Sequence, residues 1–135
     1  MRSAAWSGLP PPVRFAVVGC VGFAVDGGLL HLLTSLAQWG PIAARGVSFP
    51  TAVLATWWLN RRITFAGREQ GPWWASLARY VGVSLVGTGV NFGIYSALVL
   101  GSAAMAARPI VPFAFASAAA LVFNYLGSKH FAFRR

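Results

Sequence analysis

Apolar residues run in four long stretches, separated by short polar or Gly- and Pro-containing segments. The stretches cover about 13–36, 42–60, 79–100 and 109–128. A helix that crosses the hydrocarbon layer needs roughly 20 mostly apolar residues. The pattern therefore predicts an all-α integral membrane protein with four transmembrane helices. The connections 37–41 and 101–108 are short, as in tight helical hairpins. The connection 61–78 is longer and more polar, and Gly67, Gly71 and Pro72 break it. Its last part, about 72–78 with Trp73 and Trp74, reads as a short helix lying at the headgroups.

Composition supports a bilayer over water. Of 135 residues, 57% are hydrophobic and only 10% charged, with a mean hydropathy of +0.64. A soluble domain carries about 25% charged residues. The eleven Lys and Arg face two acids, Asp26 and Glu69, for a net charge of +9. Basic chains often bind nucleic acid, but they rarely combine that charge with this much apolar bulk, so no nucleic-acid partner is expected. Cys20 stands alone, which removes disulfide and cysteine-metal frameworks within one chain. Pro10-Pro11-Pro12 and Arg14 do not fit a cleavable signal peptide, so the first stretch is expected to remain.

The charges are distributed unevenly. Arg2, Arg14, Arg61, Arg62, Arg68, Arg79, Lys129, Arg134 and Arg135 fall on one side of the expected membrane. Arg45 and Arg108 fall on the other. The positive-inside rule then puts both termini and the 61–78 connection in the cytoplasm. The localisation expected is the cytoplasmic membrane. Trp39, Trp57, Trp58, Trp73 and Trp74 lie near span ends, as an anchoring belt does.

The chain also repeats itself. Arg14-Phe15-Ala16-Val17-Val18-Gly19 resembles Arg79-Tyr80-Val81-Gly82-Val83-Ser84. Twelve residues after each Arg stands a polar residue, Asp26 or Asn91. Asn60-Arg61-Arg62-Ile63-Thr64-Phe65 corresponds to Ser128-Lys129-His130-Phe131-Ala132-Phe133. The offset is 65 residues at the start and 68 at the end. Each unit is a helical hairpin with a basic-aromatic tail. Two spans per unit give both units the same orientation, so the repeat is parallel.

These openings and endings, with Asn124-Tyr125-Leu126-Gly127 before the second tail, resemble the GtrA-like membrane proteins from about Arg14 to Phe133. The sequence departs from that pattern at Arg45, Thr56, Gly127 and His130. The resemblance implies work with polyprenyl-phosphate-linked sugars in cell-surface polysaccharide or glycolipid synthesis. Relatives of this kind are proposed to move such lipids across the membrane or to support the glycosyltransferase that makes or uses them.

The residues offer two candidate constellations. Arg14, Arg61, Arg62, Arg79 and Lys129 gather at helix ends on one side, and a guanidinium fork suits a phosphate. Topology and attraction to anionic headgroups explain the same residues equally well. Asp26 lies about 18 Å along its helix from Arg14, close to the bilayer middle. Acids there usually face a polar interior or pathway. Asp26, Asn91 and Asn124 are therefore the candidates for a sugar or proton site, with interhelical hydrogen bonding as the plain alternative. Gly89 and Gly93 form a small-xxx-small pair that permits close helix approach. Phe65, Phe131 and Phe133 suit insertion at the interface. Arg45 and Arg108 suit snorkelling to the opposite headgroups.

No nucleophile–base set, carboxylate pair, phosphate loop or metal-spaced histidines appear, so no enzyme, cofactor or metal is expected. The leading expectation is a protein that binds and flips a polyprenyl-phosphate-linked sugar. Four helices enclose little space, so a homo-oligomer or a complex with a membrane glycosyltransferase is expected. The rivals are a non-transporting adaptor for such a transferase, and a small cation or drug exporter built on Asp26.

Overall fold

The computed structural model describes residues 4–68 and 70–134. Arg2, Arg135 and Glu69, which entered the charge argument, lie outside the described residues. The chain divides into two compact units, Met1–Arg68 and Glu69–Arg135. Among the described residues every regular element is helical.

In the first unit a short helix α1 (Ala4–Ser7) precedes α2 (Pro11–His31), which ends in a π-helical turn, Leu32–Leu36. Pro11 and Pro12 occupy the first turn of α2, where a missing N–H does no harm. A short connection follows, in which Gln38 takes a positive φ of 58°. The chain then returns as α3 (Pro41–Leu59) and closes with a second π turn, Asn60–Thr64. Phe65 N–H donates to Asn60 O at 2.9 Å, five residues back. The interior of this hairpin is narrow. Its buried residues are Phe15, Val18 and Gly22 on α2 and Ala44, Ser48 and Ala52 on α3.

The second unit is built the same way. Its first helix is α4 (Trp73–Gly101), followed by the short α5 (Ala103–Ala107). Ser102 caps α5 by accepting Met105 N–H at 3.4 Å. The return helix is α6 (Ile110–Gly127), which ends in a π turn at Ser128–Ala132. Phe133 N–H donates to Ser128 O at 2.8 Å. The buried residues of this hairpin are Ser76, Tyr80, Val83 and Gly87 on α4 and Pro112, Ala116 and Ala120 on α6.

The two interiors correspond residue by residue. Phe15, Val18 and Gly22 recur 65 residues later as Tyr80, Val83 and Gly87. On the return helices, 44, 48, 52, 56, 60 and 64 recur 68 residues later as 112, 116, 120, 124, 128 and 132. A strict spacing of four drifts about 40° per step around an α-helix of 3.6 residues per turn. The closing π turn holds more residues per turn and brings Asn60 and Thr64, or Ser128 and Ala132, back onto the packed face.

Among the described residues three helical stretches are long and apolar enough to cross a membrane: Pro11–Leu36, Trp73–Gly101 and Ile110–Ala132. Their surfaces match that role. Phe23 is 80% exposed, Phe92 71% and Ile110 70%, a pattern suited to contact with lipid and costly in water. The remaining expected span, α3, is 19 residues long. Arg45, Ser48, Thr51, Thr56, Trp57 and Trp58 make it more polar than the other three.

Three local expectations change. The segment 72–78 is not a separate interfacial helix, because Trp73–Gly101 is one uninterrupted helix. Nothing between Trp73 and Arg79 breaks it, and Pro72 stands outside as its N-cap. Phe65 and Phe133 are not interfacial anchors. Both are buried, Phe65 against Phe15 (centroids 6.2 Å) and Phe133 against Tyr80 (5.7 Å). Phe131 is the one of the three that faces outward. Gly89 and Gly93 have open space around them, and the close approaches fall at Gly22, Gly87 and Gly127.

Candidate functional site

Each hairpin gathers most of its basic residues at the end away from its connecting turn, while Arg45 and Arg108 lie near that turn. In the first unit Arg14 sits in the opening turns of α2, facing the π turn that closes α3. Its Nη1 donates to Ile63 O at 3.3 Å and its Nε to Leu9 O at 2.7 Å. Arg61 and Arg62 lie in the same π turn, over Trp57 at 5.7 Å and Trp58 at 4.6 Å. Each is an i, i+4 pair, the spacing that stacks side chains on a helix. In the second unit Arg79 Nη2 donates to Ala132 O at 3.4 Å. Lys129 lies over Tyr125 at 6.0 Å. The five basic candidates thus fall into two groups: Arg14 with Arg61 and Arg62, and Arg79 with Lys129.

Asp26 has a partner that its sequence position does not reveal. Arg45 Nη1 donates to its Oδ2 at 2.5 Å, from the facing helix of the same hairpin. Arg45 therefore turns inward to an acid instead of extending to headgroups as expected. The Arg45 side chain is 53% exposed and that of Asp26 18%. Asp26 Oδ1 is buried with no hydrogen-bond partner. Arg45 also lies over Phe49 at 5.5 Å. It edges an open apolar groove of about 560 Å³ between Leu30 on α2 and Pro41, Ile42, Phe49 and Pro50 on α3.

Asn91, the repeat partner of Asp26, donates from Nδ2 to Ser117 Oγ at 3.3 Å. Asn124 presses its amide against Gly87, where a Cβ would overlap it, and its Oδ1 is buried without a partner. Thr56 packs on Gly22 in the same way in the first unit. Gly127 is explained similarly: a Cβ there would sit 2.8 Å from Val83 Cγ1. Residues important here but missed from the sequence are Arg45 as an ion-pair partner, Ser117 and Gly87.

The GtrA/DPMS transmembrane-domain model matches residues 14–133. The chain belongs to that family. No curated protein matches it significantly. The match opens at Arg14, the clamp of the first hairpin, and closes at Phe133, the ring buried against Tyr80. It thus spans both repeat units. Membership makes this a membrane protein of the glycolipid and polysaccharide synthesis class.

Proposed function

We propose that this GtrA-family protein binds a polyprenyl-phosphate-linked sugar and carries it across the cytoplasmic membrane. The observation that carries the reading is the placement of polar chemistry on an apolar exterior. Guanidinium and ammonium groups stand at one end of each hairpin. Polar side chains then occur partway along each helix pair. At 19 residues α3 spans about 28 Å, close to the roughly 30 Å hydrocarbon thickness, so it serves as the fourth crossing. The excess of positive charge orients both termini and the basic ends toward the cytoplasm.

In this reading the basic ends meet the phosphate of the incoming lipid. Asp26 with Arg45 in the first hairpin, and Asn91 and Asn124 in the second, are the groups available to sugar hydroxyls. The prenyl tail stays in hydrocarbon throughout, so no bond is made or broken and the chain needs no catalytic group. A second copy or a membrane glycosyltransferase supplies the rest of the enclosure. The pairing of Asp26 with Arg45 disfavours a cation exporter, since the acid's charge is already compensated.

The test is translocation of a lipid-linked sugar in proteoliposomes holding the purified protein. Wild-type protein moves the lipid, and Asp26→Ala inserts but does not. Full activity in Asp26→Ala removes that residue from the mechanism. No translocation by wild type, with capture of a transferase that depends on residues 61–72, would establish the adaptor instead.

A further inference from the structure

We infer that the two repeat-related arginines divide their work: Arg79 receives a phosphate oxygen, whereas Arg14 is a structural clamp. The inference rests on the phosphate-lipid reading above and narrows it to one guanidinium.

The two arginines begin alike. Each opens the first helix of its hairpin, and each donates one Nη to a carbonyl in the closing π turn, Ile63 O at 3.3 Å or Ala132 O at 3.4 Å. They then diverge for a reason visible in the chain. Arg14 has a second acceptor in Leu9 O, at 2.7 Å from Nε. That carbonyl is free because the chain between α1 and Pro10 is not helical. The residue 65 positions later is Trp74, already in the first turn of α4, where carbonyls accept from the helix itself. Arg79 Nε is correspondingly buried with no acceptor.

A second difference points the same way. In the first unit Thr64 Oγ1 donates to Asn60 Oδ1 at 2.7 Å, and the pair is closed and buried. The second unit has Ser128 and Ala132 at those positions. Ala132 has no side-chain polar group, so the fully buried Ser128 hydroxyl is left without a partner. The end of the second hairpin therefore holds an under-used guanidinium and an unpartnered hydroxyl, with the Lys129 ammonium in the same π turn. Among the described residues, Arg79 Nε and Ser128 Oγ have no acceptor. A phosphate oxygen supplies one, because guanidinium donors suit its charge and can bind it bidentately. In the first hairpin the corresponding groups, Arg14 and the Thr64 hydroxyl, are both engaged internally.

The experiment compares Arg14→Gln, Arg79→Gln and Ser128→Ala with wild type in dodecyl maltoside. Thermal unfolding is read first, then binding of farnesyl phosphate. Arg79→Gln should weaken binding about tenfold or more at an unchanged melting temperature. Arg14→Gln should melt earlier while its folded fraction binds as wild type does. Ser128→Ala should keep its melting temperature and lose affinity more modestly. Equal loss in Arg14→Gln and Arg79→Gln, or loss in Arg14→Gln alone, overturns the division. Normal binding by Arg79→Gln overturns this inference but leaves the lipid reading standing. Failure of wild type to bind farnesyl phosphate overturns both. Phosphatidylglycerol nanodiscs and free inorganic phosphate serve as competitors. If phosphatidylglycerol competes equally, Arg79 stands as a phosphate site whose ligand is the bilayer's own headgroup.

Discussion

Breaking the Asp26–Arg45 pair one side at a time should give unequal losses, and breaking both should cost less than their sum. A lone Asp or Arg at the centre of a membrane helix costs about 2.5–3.5 kcal/mol on insertion scales. Removing one partner of a buried ion pair costs about 3–5 kcal/mol, whereas an exposed pair is worth about 0–1 kcal/mol. Here the Asp26 side chain is 18% exposed and that of Arg45 53%. A coupling of about 1–3 kcal/mol lies between those limits. The asymmetry follows from the partners left behind. Arg45→Ala leaves Asp26 with Oδ2 newly orphaned beside an Oδ1 that already has no hydrogen bond. Asp26→Ala leaves Arg45 its cation–π contact with Phe49 and a long stem that can reach a polar boundary. Arg45→Ala should therefore be the more destabilising single change, and adding Asp26→Ala to it should recover stability. The assay is a double-mutant cycle on reversible unfolding in mixed dodecyl maltoside and SDS micelles. Additive single effects, with a coupling under about 0.5 kcal/mol, would refute the claim that this pair is energetically joined.

Three further outcomes follow from the packing and the charge pattern. Gly87→Ala and Gly127→Ala should each destabilise the second hairpin by about 1–3 kcal/mol through overpacking, while Gly89→Ala is near neutral, as thermal unfolding in detergent will show. Phe65→Ala and Phe133→Ala should each cost about 3–5 kcal/mol, as core aromatic truncations do, against little change for the outward Phe131→Ala in the same measurement. On a Cys20→Ser background, single cysteines at Gly67 and at Ala104 should label from opposite sides of intact spheroplasts, with Gly67 protected from an impermeant maleimide. Labelling of both from outside would contradict the proposed orientation.

Much of this was open to a reader of the sequence. Apolar runs located the helices within a few residues, since a membrane helix is marked by length and composition alone, except at the start of α4, which begins at Trp73. The repeat was legible at its ends, in Arg14 and Arg79 and in the two basic-aromatic tails. In the middle only Asp26 and Asn91 matched, and the four-residue spacing from Ala44 to Thr64 and from Pro112 to Ala132 stood out once the packed faces were known. The outer carbonyl that holds Arg14, absent for Arg79, was not legible. It depends on where α1 stops and α4 starts.

What the sequence determined by itself is that this chain is helical, lies in a membrane and is built twice, because apolar length and repeated order survive any detail of packing. The tertiary structure decided which face of each helix is interior. Lipid and core are both apolar, so a helix that is hydrophobic all round gives no hint of its rotation. That rotation buries Phe65 and Phe133, chooses Gly87 over Gly89, and turns Arg45 toward Asp26. Each is a contact between helices that sequence spacing cannot specify, and only packed side chains settle it.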